Sequence, residues 1–300
     1  MKEIMEDKQP SVAIIIVNYN GIEDTIECIK SLNKINYYNY KTFVIENNST
    51  QKPTKDQIDY LNEHAVYIES GENLGFSGGN NIGIRKALEN GFDYVLLLNN
   101  DTTVEPNFLN ILIDAAKEKT DVGIVGGKIV FYSKQSYLWY GGGYLNEKFG
   151  GGSHERWNEL NSPDTGEVRE VTFITGCLML IPIAVFKKVG LLSEEYFLYA
   201  EDTDFCYKVM QAGYKLWFCE NTLIYHKVSS STGATSAMTQ YYMVRNVLHL
   251  TKKYRTDYHK VNARFTYQIV KDVIRGRKQF APVRCAYRDY LKGNMGKWEI

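Results

Sequence analysis

The feature that most constrains the fold is a run of apolar residues that ends abruptly in polar ones. Residues 94–98 are apolar throughout and are followed directly by Asn99, Asn100 and Asp101. A bounded apolar run of this length predicts a strand that is buried on both faces of a parallel sheet. Ligands bind at the carboxyl ends of such strands, and a carboxylate beside short amide side chains suits Mg²⁺ or Mn²⁺. A turn that simply ends the strand is the alternative interpretation.

Two earlier strands are predicted to end in the same way. The run 11–17 is rich in β-branched residues, and a second strand is predicted at 41–46, around the apolar residues 43–45. Short polar residues and a glycine follow them: Asn18, Tyr19, Asn20 and Gly21 after the first run, and Asn47, Asn48 and Ser49 after Glu46. Helical patterns lie between these strands, which predicts a parallel, Rossmann-like sheet. Three polar strand ends in such a sheet meet at one edge and form a ligand crevice.

A glycine-rich segment, 73–81, precedes a helix predicted at 82–89. Bare backbone N–H groups and the helix dipole at such a helix start favour phosphate. The segment matches neither a Walker loop nor the GxGxxG pattern. A flexible loop capped by Asn80 or Asn81 is the alternative interpretation.

Three carboxylates lie within four residues at Glu201, Asp202 and Asp204, just before a helix predicted at 205–212. Acidic residues are favoured in a first helical turn by the helix dipole alone. Such a cluster also repels itself, which raises carboxyl pKa values and suits a general base. His226 follows the last predicted strand, 214–225, and could contact a metal or a diphosphate, although it could equally be an ordinary polar residue.

The segment 131–170 is rich in Tyr, Trp and Gly and has poor periodicity, which predicts hairpins or a mobile loop. Trp139 in this segment could stack on a sugar ring, with core packing as the alternative. A strand is predicted over 171–182, with a break at Gly176.

The formal net charge of zero conceals a strong asymmetry. Residues 241–300 contain fourteen Lys and Arg against four Asp and Glu, so this part carries +10 and the rest −10. Helices are predicted at 238–254 and 257–274. A basic helical tail predicts contact with an anionic membrane surface or a lid packed on the main domain. Nucleic acid is not expected as a partner, because no recognition module is apparent and the −10 part opposes it.

Five scattered cysteines without CxxC spacing indicate reduced thiols. The polar, acidic start predicts no signal peptide, and the apolar runs are too short to span a bilayer. The expected location is the cytoplasm, with the inner face of the cell membrane as a possible site of attachment.

Seven segments in order carry a resemblance to a known family: 16–21, 46–49, 73–81, 99–101, 175–177, 201–204 and 241–246. Over roughly residues 11–250 the chain resembles family 2 glycosyltransferases of the GT-A fold, in the bacterial rhamnosyltransferase-like branch. The resemblance implies a GT-A, Rossmann-like α/β fold with a mostly parallel sheet flanked by helices and a C-terminal helical extension. It divides the chain into a catalytic domain at 1–237 and a basic helical segment at 238–300. It further implies an inverting, metal-dependent transfer from a UDP- or dTDP-sugar to a hydroxyl of a glycan or lipid-linked acceptor in cell-surface polysaccharide synthesis.

The resemblance also implies roles for individual residues. Asp202 would be the base, with Glu201 as the next candidate, and Asp101 and His226 would hold Mn²⁺ or Mg²⁺. Asn99 stands where the family has an acidic residue, and Glu46 stands where it usually has an Asp that contacts the nucleobase. Donor binding is assigned to Asn18, Asn20, Glu46, Asn48, Asn73, Gly75, Gly79, Asn80, Asn100 and Arg245, and acceptor binding to Gly176, Asp204 and Trp139.

Two other functions are consistent with an α/β nucleotide site. A nucleotidyltransferase would need a basic glycine-rich loop after the first strand, where this chain has Asn-Tyr-Asn-Gly. A non-catalytic nucleotide-sugar-binding module would not need the acidic cluster at 201–204.

Overall fold

The first half of the chain alternates strands and helices around a buried central strand. The computed structural model describes residues 9–162, 166–228 and 236–298. The charged start at 1–8, on which the predicted absence of a signal peptide depends, lies outside the described residues. The elements are β1 Val12–Asn18, α1 Ile22–Leu32, β2 Tyr40–Glu46, α2 Lys55–His64, β3 Val66–Glu69, α3 Gly75–Glu89 and β4 Tyr94–Leu98.

These four strands are parallel and are arranged in the order β4-β1-β2-β3. Ile15 of β1 pairs with Phe43 on one side and Leu97 on the other, and all three side chains are buried. Continuous apolar strands suit this position because helices cover both faces of the sheet. The predicted parallel sheet is confirmed.

The glycine-rich segment is part of α3, so the predicted helix start at 82 is wrong by seven residues. The small residues let this helix approach β1 closely. A Cβ at Gly79 would lie 2.9 Å from a methyl of Val17, and one at Gly83 would lie 2.6 Å from Ile15. Asn80 and Asn81 therefore lie inside the helix and do not cap it.

The second half completes a mixed sheet of ten strands within the described residues. The further elements are β5 Thr102–Val104, α4 Phe108–Glu118, β6 Val122–Phe131, β7 Lys134–Tyr140, β8 Gly143–Leu145, β9 Gly152–His154, β10 Val168–Val171, β11 Leu178–Pro182, α5 Ile183–Val189, α6 Glu201–Gln211 and β12 Lys215–His226. A short 3₁₀ helix covers Glu194–Tyr196. The strand order of the sheet is β10-β12-β6-β11-β4-β1-β2-β3, with β5 on β12 and β7 on β6, and β11 runs antiparallel between β4 and β6.

Two predictions in this half have different outcomes. The hairpins predicted within 131–170 are present as the β6/β7 and β8/β9 pairs. The strand predicted over 171–182, with a break at Gly176, is present after the break as β11; before the break only Val171 is in a strand, as the last residue of β10, which pairs with a different neighbour. The chain leaves the sheet between them, and the N–H group of Gly176 donates to a side chain of α6.

The C-terminal segment forms three helices, α7 Ala237–Tyr254, α8 Tyr258–Ile274 and α9 Phe280–Lys292. The sequence predicted the first two and missed α9, whose packing against α7 depends on Val283 and Ala286. A second apolar cluster joins these helices to the main domain, where the rings of Phe197 and Tyr242 stack at 5.5 Å. Among the helices described here, none has the length and apolar content needed to cross a bilayer. The domain boundary at 237/238 stays a prediction.

Candidate active site

Buried side chains hold the ends of β1 and β2 together. The Glu46 carboxylate accepts hydrogen bonds from Asn18 Nδ2 and, at 2.6 Å, from the backbone N–H of Ser49. Asn18 Oδ1 accepts from Thr25 Oγ1 at 2.9 Å. Asn18 and Glu46 are 0% and 2% exposed. Both side chains therefore brace the strand ends, and direct contact of Glu46 with a nucleobase stays a prediction.

Two exposed asparagines follow these strands. Asn20 and Asn48 have φ angles of 55° and 56°, a left-handed conformation that Asn tolerates better than most residues. Asn20 Oδ1 accepts the N–H of Thr50 at 2.8 Å, and Asn48 Oδ1 accepts from Lys52 Nζ at 2.5 Å. Both residues lie at the sheet edge where the sequence predicts the nucleotide.

The start of α3 is connected to its surroundings by backbone hydrogen bonds. Its N–H groups donate within the protein: Leu74 to Asn47 Oδ1 at 3.1 Å, Gly75 to Asn73 Oδ1 at 3.0 Å, and Phe76 to Phe197 O at 2.8 Å. In the glycine-rich segment 75–79, where bare N–H groups were expected to favour a phosphate, the N–H groups of Gly75 and Phe76 are therefore already bonded within the protein. Sequence reasoning missed Asn47, although it lies in a polar strand end that had been recognised.

Position 75 requires glycine because of its backbone conformation and because another part of the chain lies very close to it. Its φ is +71°, and a Cβ there would lie 2.1 Å from the carbonyl oxygen of Phe197. Asn80, one turn later, donates its amide to Phe76 O at 2.9 Å and is buried. The glycine therefore allows α3 to begin directly against the segment that precedes α6.

Asp101 and His226 meet although 125 positions separate them. His226 is the last residue of β12, which pairs with β5 so that His226 lies opposite Thr102. His226 Nε2 is 3.1 Å from Asp101 Oδ1, and both side chains are largely buried. The Asn100 amide does not join this pair, because it donates to Gly21 O at 3.2 Å and to Thr25 Oγ1 at 3.1 Å.

The Asp101–His226 pair fits a divalent cation shared with a substrate. His226 Nδ1 is buried and makes no hydrogen bond. Within the described ranges, His, Cys, Asp and Glu form no group of three or more that could hold a metal. Mg²⁺ and similar ions are commonly held by one or two protein ligands together with substrate phosphates and water. An oxygen and a nitrogen ligand at the end of the sheet are therefore consistent with Mn²⁺ or Mg²⁺ in a diphosphate complex.

Asp202 lies in the first turn of α6, which begins at Glu201 and not at the predicted 205. The helix starts there because the N–H of Asp204 donates to Ala200 O at 2.8 Å. Asp202 Oδ2 accepts the N–H of Gly176 at 3.1 Å, and its Oδ1 accepts the N–H of Thr203 at 2.6 Å. The carbonyl oxygen of Cys177, next to Gly176, accepts the N–H of Asn99 at 3.1 Å, so one short loop connects the end of β4 with Asp202.

Glu201 and Asp202 differ in their surroundings. Burial raises the pKa of the Glu201 carboxyl well above its ordinary value of 4.5, and the nearby charge of Asp202 raises it further. Oε2 of Glu201 is buried without a hydrogen-bond partner. Burial also raises the pKa of Asp202, but the N–H groups of Gly176 and Thr203 oppose that effect. The N–H groups of Gly176 and Thr203 therefore favour the ionised form of Asp202, whereas burial favours the protonated form of Glu201.

The raised pKa of Glu201 makes stability depend on pH. A carboxyl with a raised pKa in the folded state contributes stability below its unfolded pKa, and this contribution is lost as pH rises through the folded pKa. Between about pH 5 and pH 8 we expect the free energy of unfolding to fall in the wild type more than in Glu201→Gln. Urea unfolding across this range measures the difference, with the exposed Glu63→Gln as control. Parallel pH profiles of wild type and Glu201→Gln would contradict the assignment.

The side chain of Asp204 is too buried to contact an acceptor, so the predicted acceptor contact of this residue is wrong. Its side chain is 0% exposed. It accepts four hydrogen bonds, from Ser193 Oγ at 2.5 Å, Tyr196 OH at 2.9 Å, Lys253 Nζ at 2.7 Å and Tyr254 OH at 2.9 Å. Asp204 therefore joins α6 to α7, because Lys253 and Tyr254 end the latter helix.

The segment 196–200, which leads into the acidic turn, has an unusual backbone. Phe197, Tyr199 and Ala200 have positive φ angles of 64°, 66° and 70°. Such conformations cost free energy in non-glycine residues and persist only where neighbouring structure imposes them. Here Asn246 of α7 donates its amide to three carbonyls, of Tyr196 at 3.1 Å, Leu198 at 2.8 Å and Tyr199 at 2.8 Å.

Arg245 contributes to the same structure. It is 1% exposed, and its guanidinium donates to Tyr196 O at 3.0 Å and Gly296 O at 2.8 Å. The structure therefore places Arg245 among protein carbonyls rather than at the edge of the sheet, which corrects the predicted donor contact. Sequence reasoning missed the role of Asn246, although the motif that contains it had been recognised.

Trp139 lies beside the Asp101–His226 pair. Its ring meets His226 edge to face at 4.4 Å and His154 at 4.5 Å. Burial lowers the pKa of His154 to about 4, so this histidine is neutral at physiological pH. The indole is half-buried and positions the His226 ring through this contact. Gly176 is buried against Phe76 and Asp202, since a Cβ there would lie 3.1 Å from the Phe76 ring.

Two curated relatives resemble the chain over most of its length. The low-salt glycan biosynthesis hexosyltransferase Agl10 of Haloferax volcanii is 26% identical over 228 residues, which cover 73% of this chain and 67% of the relative. The dTDP-rhamnosyl transferase RfbF of Shigella flexneri is 24% identical over 253 residues, covering 81% and 80%.

Solved structures share the fold. GalNAc-T7 with UDP, GalNAc and Mn²⁺ superposes with a TM-score of 0.64 at 16% identity over 89% of this chain, which spans 58% of that structure. The mannosyltransferase PcManGT from Pyrobaculum calidifontis, in complex with GDP-Man and Mn²⁺, has a TM-score of 0.56 at 12% identity, covering 95% and 74%. The family model of glycosyl transferase family 2 matches residues 13–189, more than half of the chain. With this match, the GT-A fold and the acidic turn of α6, the chain belongs to glycosyl transferase family 2.

Proposed function

We propose that the protein transfers a hexose, with rhamnose as the first candidate, from a UDP- or dTDP-sugar to a hydroxyl of a glycan or lipid-linked acceptor. The transfer is metal-dependent, inverts the anomeric carbon and serves cell-surface polysaccharide synthesis at the cytoplasmic face of the membrane. The observation that carries the proposal is the Asp202 carboxylate, oriented by the Gly176 N–H and connected through Cys177 to the strand end that bears Asp101. The names of the two curated relatives support a hexosyl or dTDP-rhamnosyl donor.

In this proposal Asp202 is the general base. Its Oδ1 accepts the N–H and the hydroxyl of Thr203, while its Oδ2 accepts the Gly176 N–H and keeps a second lone pair for the acceptor. The acceptor hydroxyl gives its proton to this carboxylate as the acceptor oxygen bonds to the anomeric carbon. The bond from that carbon to the diphosphate oxygen breaks, and its electron pair leaves with the nucleoside diphosphate. One displacement from the opposite face inverts the configuration.

Asp101 and His226 are the proposed ligands of the cation. A divalent ion, when bound there, would supply Lewis-acid neutralisation of the charge on the diphosphate. Trp139 keeps the His226 ring in place from one side, and its partly exposed indole is the proposed platform for an acceptor sugar. Asn20, Asn48 and Asn100 are the proposed donor contacts, while Asn18, Glu46, Asn73 and Asn80 brace the elements that carry them.

A thermal-shift panel of UDP, dTDP, GDP and CDP with and without Mn²⁺ tests the donor and the metal. Because ligands that bind the native state stabilise it by mass action, a nucleotide at about 100 times its Kd adds about 2.7 kcal/mol. We expect the largest shift with UDP or dTDP, and we expect Mn²⁺ to increase it. Asp101→Asn should remove the Mn²⁺-dependent part and keep the shift from nucleotide alone.

Two results would contradict these assignments. An undiminished Mn²⁺ effect in Asp101→Asn would exclude this residue as a metal ligand. No shift with any nucleotide would contradict the nucleotide-sugar donor, while leaving family membership intact. That membership already favours a glycosyltransferase over the nucleotidyltransferase and the non-catalytic binding module considered from the sequence.

A further inference from the structure

Helix α8 presents large apolar side chains to solvent. Tyr267, Val270 and Ile274 are 70%, 50% and 80% exposed. Their spacing of three and four residues places them on one face of the helix. The opposite face packs against the protein through Val261 and Ile269, which are buried. Helix α8 is therefore apolar on its inner face and also on part of its solvent-exposed face.

Helices α8 and α9 form an antiparallel hairpin. Tyr287 OH donates to Thr266 Oγ1 at 2.8 Å, and Asn262 Nδ2 donates to Tyr290 OH at 3.3 Å. The chain reverses direction at residues 275–279, where Gly276 has a φ of +70°. Ile274 and Phe280, which is 65% exposed, thus flank the turn. We call the apolar residues Tyr267, Val270, Ile274 and Phe280, with the basic residues Arg275, Arg277 and Lys278, the hairpin tip.

The charge around the hairpin tip is strongly positive. Arg275 and Arg277 are exposed within the turn, and Arg264 and Lys271 lie on α8 next to the apolar stripe. Asp272 is an acidic neighbour of the turn, and its Oδ1 is 3.9 Å from Nη1 of Arg277. The tip belongs to the part of the chain that carries +10.

We infer that the hairpin tip docks on an anionic lipid surface, with its apolar side chains among the acyl chains and its basic side chains at the headgroups. An apolar stripe beside Lys and Arg is the pattern that binds at a membrane interface. A second copy of the chain fits this face poorly, since a two-fold contact would bring like charges together. A nucleic acid would match the charges but not four exposed apolar side chains.

This inference deepens the proposed function, because a lipid-linked acceptor lies at the same surface that the hairpin tip would bind. It does not depend on turnover, since vesicle binding is measured without donor or acceptor. A failure of the docking surface is therefore distinguishable from a failure of the proposed reaction.

Vesicle flotation with the full chain tests the inference. The probes are vesicles of phosphatidylcholine alone and vesicles with about 30% phosphatidylglycerol, since each basic residue near an anionic surface adds to binding. We expect the wild type to float with the anionic vesicles and much less with the neutral ones. Ile274→Ser with Phe280→Ser, and separately Arg275→Glu with Arg277→Glu, should each weaken binding about tenfold or more.

Matched controls separate the hairpin tip from general changes in hydrophobicity or charge. Tyr38→Ser with Leu160→Ser removes two other exposed apolar side chains, 84% and 64% exposed, and should leave binding unchanged. Lys41→Glu with Lys55→Glu changes the net charge by the same amount at exposed sites outside the hairpin. The inference would be overturned if the hairpin-tip variants bound the anionic vesicles as well as the wild type and the control variants do, or if the wild type did not bind. It would also be overturned if light scattering showed a dimer that only the hairpin-tip variants lose.

Discussion

Replacing Asp202 with Asn is expected to lower turnover about 10²- to 10⁴-fold, the usual contribution of a positioned general base. The amide has the shape of the carboxylate, so its oxygen can still accept the Gly176 N–H that now binds Asp202 at 3.1 Å. It cannot take a proton from an acceptor hydroxyl. The affinity for nucleotide should therefore stay unchanged while kcat falls. Nucleoside diphosphate release gives kcat, and calorimetry with the nucleotide alone gives Kd.

Asp56→Asn is the matched control for this variant. Asp56 is also an acidic residue in a first helical turn, in α2, and its side chain is exposed. The control should keep full activity. If Asp202→Asn keeps wild-type turnover, Asp202 is not the base; Glu201→Gln then becomes the variant to examine, because Glu201 is the neighbouring carboxyl. A parallel loss of nucleotide affinity would instead indicate a damaged site.

Replacing Asp204 with Ala is expected to lower the free energy of unfolding by about 3 kcal/mol, the lower end for removing one partner of a buried ion pair. The carboxylate is fully buried and accepts four hydrogen bonds from Ser193, Tyr196, Lys253 and Tyr254. Its loss removes the acceptor of the Ser193 and Tyr196 hydroxyls and one of the two carboxylates that contact Lys253, the other being Glu195. Urea unfolding of the two proteins at one pH measures the difference.

Glu89→Ala is the matched control for the stability measurement. Glu89 pairs with Lys86 at 2.9 Å, but both side chains are about half exposed. Exposed pairs of this kind contribute about 1 kcal/mol or less. A loss in Asp204→Ala as small as in Glu89→Ala would show that Asp204 does not hold α6 against α7.

The sequence alone identified the four parallel strands of the sheet and the edge at which their polar ends meet. Tyr94–Leu98 has the predicted bounds because an apolar run between polar residues reports burial directly. Val66–Glu69 also has the predicted bounds, although its side chains are only partly buried. The start of α3 was misplaced for an equally physical reason. Glycine has a low helix propensity, so the segment 75–79 reads as a loop, whereas close packing of Gly79 on Val17 makes it helical.

The roles within the acidic cluster were decided by tertiary structure. Asp202 and Asp204 are two residues apart and chemically identical, so their spacing cannot tell which one is accessible. The fold gives Asp202 the Gly176 N–H and gives Asp204 the side chains of α7. The Asp101–His226 contact likewise exists only because β5 pairs with β12. Local periodicity thus determined which segments are buried, while contacts between distant residues depend on strand order, which no local pattern encodes.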